Sequence, residues 1–178
     1  MGIHRLSTLI ALSLPLLLAG CATSSNCDSP SERCQAQRLL YQNDMLQARM
    51  LISSGQQENF DLANALLDRA MPLDRRGEAS FYKALLLIRQ GGPTDEVLDL
   101  LERSAKAGQP YATVLLFRIY SEPYLIPNAD RNRAERYRMA YAQLPVAISG
   151  YPSFDKARTL VDGLLAGQPA MDSSSAGR

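Results

Sequence analysis

Apolar residues recur at intervals of three and four along most of the chain, the spacing that places them on one face of an α-helix. Alternation of apolar and polar residues, which is typical of strands, is nearly absent. The pattern therefore predicts an all-α protein. The predicted helices cover residues 31–54, 59–71, 77–90, 94–107, 109–121, 130–143 and 153–166.

Glycines and capping residues mark the ends of these predicted helices. Gly55, Gly91 and Gly108 follow the periodic segments, as expected of glycines that end helices. Thr94 and Ser153 stand at helix starts, where a hydroxyl oxygen can accept a hydrogen bond from a first-turn N–H group.

Two segments of the predicted helices recur later in the chain. Residues 48–52 (ARMLI) resemble residues 84–88 (ALLLI) at an offset of 36, and residues 66–70 (LLDRA) resemble residues 100–104 (LLERS) at an offset of 34. Helix pairs with this period indicate an α-solenoid, in which each pair buries its apolar face against the next. We predict a short right-handed solenoid of about three helix pairs with a C-terminal capping helix.

Residues 108–142 carry a more specific pattern of small and aromatic residues. It consists of Gly108, Ala112, Leu116 and Tyr120, spaced by four, followed by Asp130, Ala134, Tyr137, Ala140 and Ala142. This pattern resembles a Sel1-like repeat, a relative of the tetratricopeptide repeat. The resemblance implies that small residues allow close helix approach while the aromatic residues fill gaps between the helices. Tyr120 and Tyr137 can pack their rings while their hydroxyls stay near water.

The Sel1-like resemblance extends over about residues 37–143 and is uneven. The family's Gly-x-Gly-Val loop is replaced by residues 122–127 (EPYLIP), which are longer and contain two prolines. Residues 77–107 lack a long loop and look more like a plain tetratricopeptide unit. The resemblance thus implies a repeat architecture and selects no particular function.

The first 20 residues have the features of a secretory signal. His4 and Arg5 give a basic start, residues 6–18 are almost wholly apolar, and small residues precede Cys21. Residues 18–21 (LAGC) resemble the lipobox of bacterial lipoproteins. In that family the cysteine takes a diacylglycerol, the chain is cut before it, and the new amine is acylated. The resemblance implies lipidation at Cys21; the alternative is an ordinary signal peptide with a cysteine at its cut site.

These features divide the chain into a signal peptide (1–20), a lipidated polar tether (21–32), a helical-repeat domain (33–167) and a disordered polar tail (168–178). In enterobacterial lipoproteins an aspartate directly after the cysteine retains the protein at the inner membrane. Ala22 stands there instead. We therefore predict an anchor in the outer membrane, with the domain on its periplasmic face.

Composition narrows the chemistry. The one histidine, His4, lies in the segment to be removed, which excludes histidine-dependent nucleophilic catalysis and the commonest metal ligand from the remaining chain. Arg5 leaves with it, so 18 of 19 basic residues balance 18 acidic ones. A neutral chain gives no indication of nucleic-acid binding. We predict a non-enzymatic protein without a metal, a cofactor or a nucleic-acid partner.

Cys27 and Cys34 remain after Cys21 takes lipid, and an oxidising periplasm allows them to pair. Seven residues apart in one helix, they would lie too far apart to bond. Residues 28–31 interrupt the helix, however, so a loop can fold back onto its first turn. The sequence is compatible with a Cys27–Cys34 disulfide and with two free or intermolecular thiols.

Two tyrosine–arginine pairs form the first candidate binding surface. Tyr82 lies seven residues before Arg89, and Tyr111 lies seven before Arg118, so each pair lies along one helix face. The first helices of repeat pairs line a concave face, and tyrosine and arginine are frequent binding anchors. We predict a partner-binding groove at these four residues. The alternative is that the tyrosines are core residues and the arginines are solvated.

Tyr124, Leu125 and Ile126 form the second candidate surface, an apolar triplet between two prolines. Such a triplet is either a partner contact or a plug over the core.

These expectations together predict an adapter that binds another envelope protein and helps to assemble or stabilise a multiprotein machine. Secretin pilotins and exopolysaccharide-export scaffolds are lipoproteins of this kind. One alternative is a Sel1-like periplasmic immunity protein that binds and blocks a toxin. An enzyme acting on peptidoglycan is a third hypothesis, which the missing histidine disfavours.

Overall fold

The computed structural model describes residues 31–166. Within that range the chain has eight α-helices and no strand, which confirms the predicted all-α class. Two 3-10 turns, Gln57–Asn59 and Met71–Leu73, flank the second helix. The helices are α1 (Glu32–Ser54), α2 (Phe60–Ala70), α3 (Glu78–Gln90), α4 (Thr94–Lys106), α5 (Pro110–Ser121), α6 (Arg131–Ala142), α7 (Pro145–Ile148) and α8 (Phe154–Leu165).

Several predictions fall outside the described residues: the signal peptide at 1–20, the lipidation site Cys21, most of the tether at 21–32, Cys27 and the tail at 168–178. Among residues 31–166, no helix has the length and apolar character needed to cross a membrane.

The seven predicted helices agree with the observed ones to within one residue at each end. Gly55 and Gly91 end α1 and α3 with φ of +70° and +67°. The Ser153 hydroxyl accepts a hydrogen bond from the N–H of Lys156 and caps α8. The single turn α7 was not predicted.

The predicted capping role of Thr94 is wrong. Pro93 occupies the capping position of α4, and Thr94 is already the first helical residue. The Thr94 hydroxyl therefore points away from the free N–H groups of its helix and lies 3.5 Å from the carbonyl oxygen of Leu125.

Helices that follow one another in the chain pack against each other, from α1 through α6. The last helix, α8, turns back and packs mainly on α5, with further contacts to α3 and α6.

The buried carboxylate of Asp44 on α1 accepts two hydrogen bonds from the Arg69 guanidinium on α2, at 2.5 and 2.7 Å. This paired geometry satisfies both carboxylate oxygens at the interface between the first two helices.

Helix α3 contributes to two hydrophobic clusters. Ala79 and Leu86 belong to the cluster of α1 and α2, whereas Phe81, Ala84 and Leu85 belong to the larger cluster formed with α4, α5, α6 and α8. All five are fully buried. Helix α3 is therefore the layer between the N-terminal and C-terminal parts of the core.

The start of α3 lies very close to the end of α4 at Gly77. The Ser104 hydroxyl donates a 2.6 Å hydrogen bond to the Gly77 carbonyl oxygen. Gly77 has φ of +71°, and a Cβ added there would lie 2.6 Å from the Ser104 carbonyl oxygen. Both the backbone conformation and the space therefore require glycine.

Replacing Gly77 by alanine should destabilise the fold severely. Positive φ alone costs about 1–2 kcal/mol for alanine, and the clash with the Ser104 backbone raises the expected loss to about 3 kcal/mol or more. Gly55→Ala is the matched control, because Gly55 has the same positive φ and no atom within 4 Å of the added Cβ. Urea unfolding measures both variants, and equal losses would contradict the close approach.

Candidate partner-binding site

The predicted groove residues Tyr82 and Tyr111 lie on α3 and α5, on either side of one buried ring. The Phe81 ring centroid is 5.3 Å from that of Tyr82 and 6.1 Å from that of Tyr111. The Arg49 guanidinium of α1 lies 5.9 Å from the Tyr82 ring centroid. Burial raises the pKa of the Tyr82 hydroxyl, and the charge of Arg49 opposes that shift. Both tyrosines are half-buried and take part in core packing.

Arg89 connects three helices. Its guanidinium, on α3, donates hydrogen bonds to the carbonyl oxygens of Ile52 near the end of α1 and of Leu164 near the end of α8. The carbonyl end of a helix carries partial negative charge, so a cation is favourable there. Burial lowers the pKa of Arg89.

Arg118 on α5 is also engaged with α8. It pairs with Asp162 at 2.5 Å and with Glu122 at 3.0 Å. Its guanidinium lies 4.9 Å from the ring centroid of Tyr124, a cation–π contact. The structure thus brings Arg89 and Arg118 together along α8.

Helix α8 covers the face of α3 and α5 at which the sequence predicts a groove. Phe154 of α8 packs edge-on against Phe117 at 5.0 Å and against Tyr141 at 5.3 Å. The Tyr141 hydroxyl donates a 2.7 Å hydrogen bond to the Pro152 carbonyl, which fixes the approach to α8. The four groove residues therefore have internal structural roles, and their binding role stays a prediction.

The predicted loop triplet divides between core and surface. Leu125 and Ile126 are half-buried against the larger hydrophobic cluster, whereas Tyr124 is exposed beneath Arg118. This placement favours the plug interpretation for Leu125 and Ile126; a partner contact at the triplet stays a prediction.

Tyr120 on α5 and Tyr137 on α6 pack against each other. Their rings are stacked, with centroids 5.8 Å apart and planes 9° apart. The Arg133 guanidinium lies 4.3 Å from the centroid of the Tyr120 ring and makes a cation–π contact with it.

Cys34 is buried in the first turn of α1 and is disulfide-bonded. Residues 31–166 contain no second cysteine. The pairing with Cys27 therefore stays a prediction.

The structure also contains a cleft that the sequence did not predict, between the N-terminal half of α1 and the connection from α2 to α3. Its volume is about 350 Å³. We call it the arginine cleft because three guanidinium groups line it. The lining residues are Gln37, Arg38, Tyr41, Gln42, Leu73, Arg75, Arg76 and Glu78.

Asp74 does not line the arginine cleft, but it hydrogen-bonds to two residues that do, Tyr41 and Glu78. Its carboxylate accepts hydrogen bonds from the N–H groups of Glu78 and Ser80, at 2.9 and 3.0 Å, and so orders the start of α3. The Tyr41 hydroxyl donates to the same carboxylate at 3.3 Å. Burial, together with the negative charges of Asp74 and Glu78, raises the pKa of Tyr41, so this hydroxyl stays a neutral donor.

The charge balance of the arginine cleft is positive. Glu78 is the one acidic residue that lines it, and its carboxylate accepts a 2.8 Å hydrogen bond from Arg49. The cleft thus presents guanidinium and amide donors around the Leu73 side chain, a composition suited to a carboxylate-bearing segment of a partner. The only feature of the sequence that could have indicated this cleft is the adjacent pair Arg75 and Arg76. Nothing in the residue spacing connects that pair to Arg38.

Comparison with known proteins leaves the family open: neither a family model, nor a curated protein, nor a solved structure matches the chain. Within residues 31–166, no group of three or more potential metal-ligating side chains is present.

Removing the Arg89 side chain should loosen α8. Arg89→Ala takes charged hydrogen bonds from the ends of two helices, and we expect the stability of α8 to fall by about 2 kcal/mol. Amide hydrogen exchange across residues 154–165 measures this loss, with the exposed neighbour Gln90→Ala as the control. Unchanged exchange in Arg89→Ala would show that Arg89 does not hold α8.

Proposed function

We propose that this protein is a lipid-anchored adapter on the periplasmic face of the outer membrane, with no enzymatic activity, and that it binds an acidic segment of another envelope protein. The arginine cleft carries the proposal, because it combines a concave shape with a clear charge preference. Its volume, about 350 Å³, is large enough for a few side chains of an extended segment.

A right-handed solenoid of Sel1-like and tetratricopeptide-like repeats is part of this proposal. Burial at equivalent positions supports it: Leu66 and Leu67 on α2 are buried, and so are their counterparts Leu100 and Leu101 on α4. Residues related by the offset of 36 agree as well, since Gly55 and its counterpart Gly91 both end helices in the left-handed conformation. Solenoids of this kind bind partners along extended surfaces.

The position of the cleft suits an adapter. It lies on α1, the first described helix, whereas the face of α3 and α5 is covered by α8. Guanidinium groups bind carboxylates through paired hydrogen bonds, which gives orientation as well as affinity. An acidic segment of the partner, docked here, would be held next to the tether and close to the membrane.

A photo-crosslinking residue at position 73 should capture the partner in intact cells. This position lines the arginine cleft and leaves all three arginines in place. Adding Arg76→Glu reverses one charge, and we expect the yield of the crosslinked protein to fall at least about tenfold. Quantitative mass spectrometry of the purified crosslinked product measures the yield.

Arg131→Glu is the matched control for this experiment. It makes the same charge change at an exposed residue of α6, a helix that packs against α5, α7 and α8. We expect it to leave the yield unchanged. Equal losses in the two variants, or no captured protein at position 73, would contradict binding at the cleft.

The lipid anchor has its own test. Cys21→Ser removes the thiol that takes the diacylglycerol, so the protein should lose its acyl chains and no longer fractionate with the outer membrane. Metabolic labelling with a palmitate analogue measures acylation, and Cys27→Ser is the control that should retain the label. A labelled, membrane-bound Cys21→Ser protein would disprove the anchor while leaving the cleft untouched.

A further inference from the structure

The outward face of α1 carries a row of residues at alternating intervals of three and four. The row is Ala36, Leu39, Asn43, Leu46 and Met50, which we call the α1 seam. These intervals are those of the a and d positions of a coiled-coil heptad, with Leu39 and Leu46 at d. The α1 seam therefore has the pattern of a helix that pairs with another helix.

The apolar side chains of the α1 seam are exposed in the described chain. Leu39 is 66% exposed, Leu46 53% and Met50 65%. The residues of α1 that pack on α2, such as Met45 and Ala48, are buried on the opposite side of the helix. The seam is thus separate from the interface that holds α1 in the fold.

We propose that the α1 seam pairs with the α1 seam of a second copy of this chain, as a parallel two-stranded coiled coil. Flanking positions select the partner of a coiled coil, and here they are almost uncharged: Gln35, Leu40, Gln42, Gln47 and Arg49. The one cation among them, Arg49, is paired with Glu78 of its own chain at 2.8 Å. Two identical copies therefore meet no charge repulsion, and a different charged helix would find no complementary charge.

Asn43 determines the orientation. It occupies the middle of the α1 seam, with two seam residues on each side. In a parallel pair, Asn43 lies opposite Asn43 of the second copy, and the two amides hydrogen-bond to each other. In an antiparallel pair the same position faces Leu46, which leaves a buried amide without a partner. A single polar a residue of this kind fixes register at some cost in affinity.

The seam is short, so the pairing is expected to depend on concentration. Stable interfaces bury about 1,200–2,000 Å² in total, and one helix face with three large apolar side chains buries less than that. Parallel pairing places the N-terminal ends of both copies on the same side. Two lipid anchors in one membrane, if the proposed anchoring holds, then raise the effective concentration of each copy for the other.

Charge placed in the α1 seam tests the proposal. Sedimentation equilibrium of the full chain in detergent should show a monomer–dimer equilibrium, and Leu46→Lys should weaken it at least about tenfold. Leu62→Lys is the matched control, because Leu62 on α2 is exposed to the same extent, 55% against 53%. Circular dichroism melting shows whether each variant keeps its fold. We expect both to do so, because both substituted side chains are exposed.

The outcomes decide between occupants of the seam. Weakening by Leu46→Lys alone supports pairing of two copies. A wild-type chain that stays monomeric up to about 1 mM, where even weak complexes form, overturns it. Equal weakening by both variants also overturns it, since association would then be non-specific.

Crosslink position tests the orientation separately. A photo-crosslinking residue at position 50, in mixed isotope-labelled dimers, should attach near Met50 of the other copy. Attachment near Leu39 would overturn the parallel arrangement. Because the arginine cleft plays no part in these measurements, their failure is distinguishable from failure of the proposed adapter function.

Discussion

Burial of α3 on two opposite faces is the constraint on which the rest of this fold depends. Phe81 and Leu85 face the C-terminal cluster and Leu86 faces the N-terminal one, so neither cluster is complete without this helix. Arg89 of α3 connects the first and last described helices, because its guanidinium donates hydrogen bonds to Ile52 on α1 and to Leu164 on α8. Apolar burial supplies most of the stability. The Arg89 guanidinium adds directional hydrogen bonds that fix the positions of α1 and α8 relative to α3.

This arrangement determines which surfaces remain available. Because α8 packs on α3 and α5, two of the four residues expected to line an open groove, Arg89 and Arg118, bind the last helix. Helix α1 has a neighbour on one side only, and it carries four exposed large apolar side chains: Leu39, Leu40, Leu46 and Met50. The arginines of the cleft and the apolar residues of the α1 seam lie on different faces of that helix, and Gln42 stands at the border between the two surfaces.

The sequence predicted helices well and contacts poorly, for physical reasons. Helix ends such as Gly55 and Ser153 depend on neighbours within four residues, so local rules suffice. The resemblance to a repeat marked Tyr120 and Tyr137 as packing residues, but their stacking on each other was not predicted. The partners of Arg89 are backbone carbonyls, which every residue possesses and no pattern marks. Arg38 and Arg76 line the same cleft because the connection from α2 to α3 follows a path that depends on Asp74 and on the turn at Gly77. Helical periodicity does not describe that path.

The two proposed surfaces differ in charge, since one is cationic and the other is neutral, and that difference explains how one helix can serve both. A cationic cleft attracts an acidic segment over a distance set by ionic strength, about 8–10 Å at physiological salt, whereas a neutral seam acts only on contact. An acidic partner is therefore not drawn to the seam, and a second copy, with the same cationic cleft, is not drawn to the cleft. Parallel pairing would then present two clefts in one assembly. A partner with two acidic segments, or a partner that is itself a ring of identical subunits, would bind such a pair far more tightly than one copy, because the second contact is intramolecular.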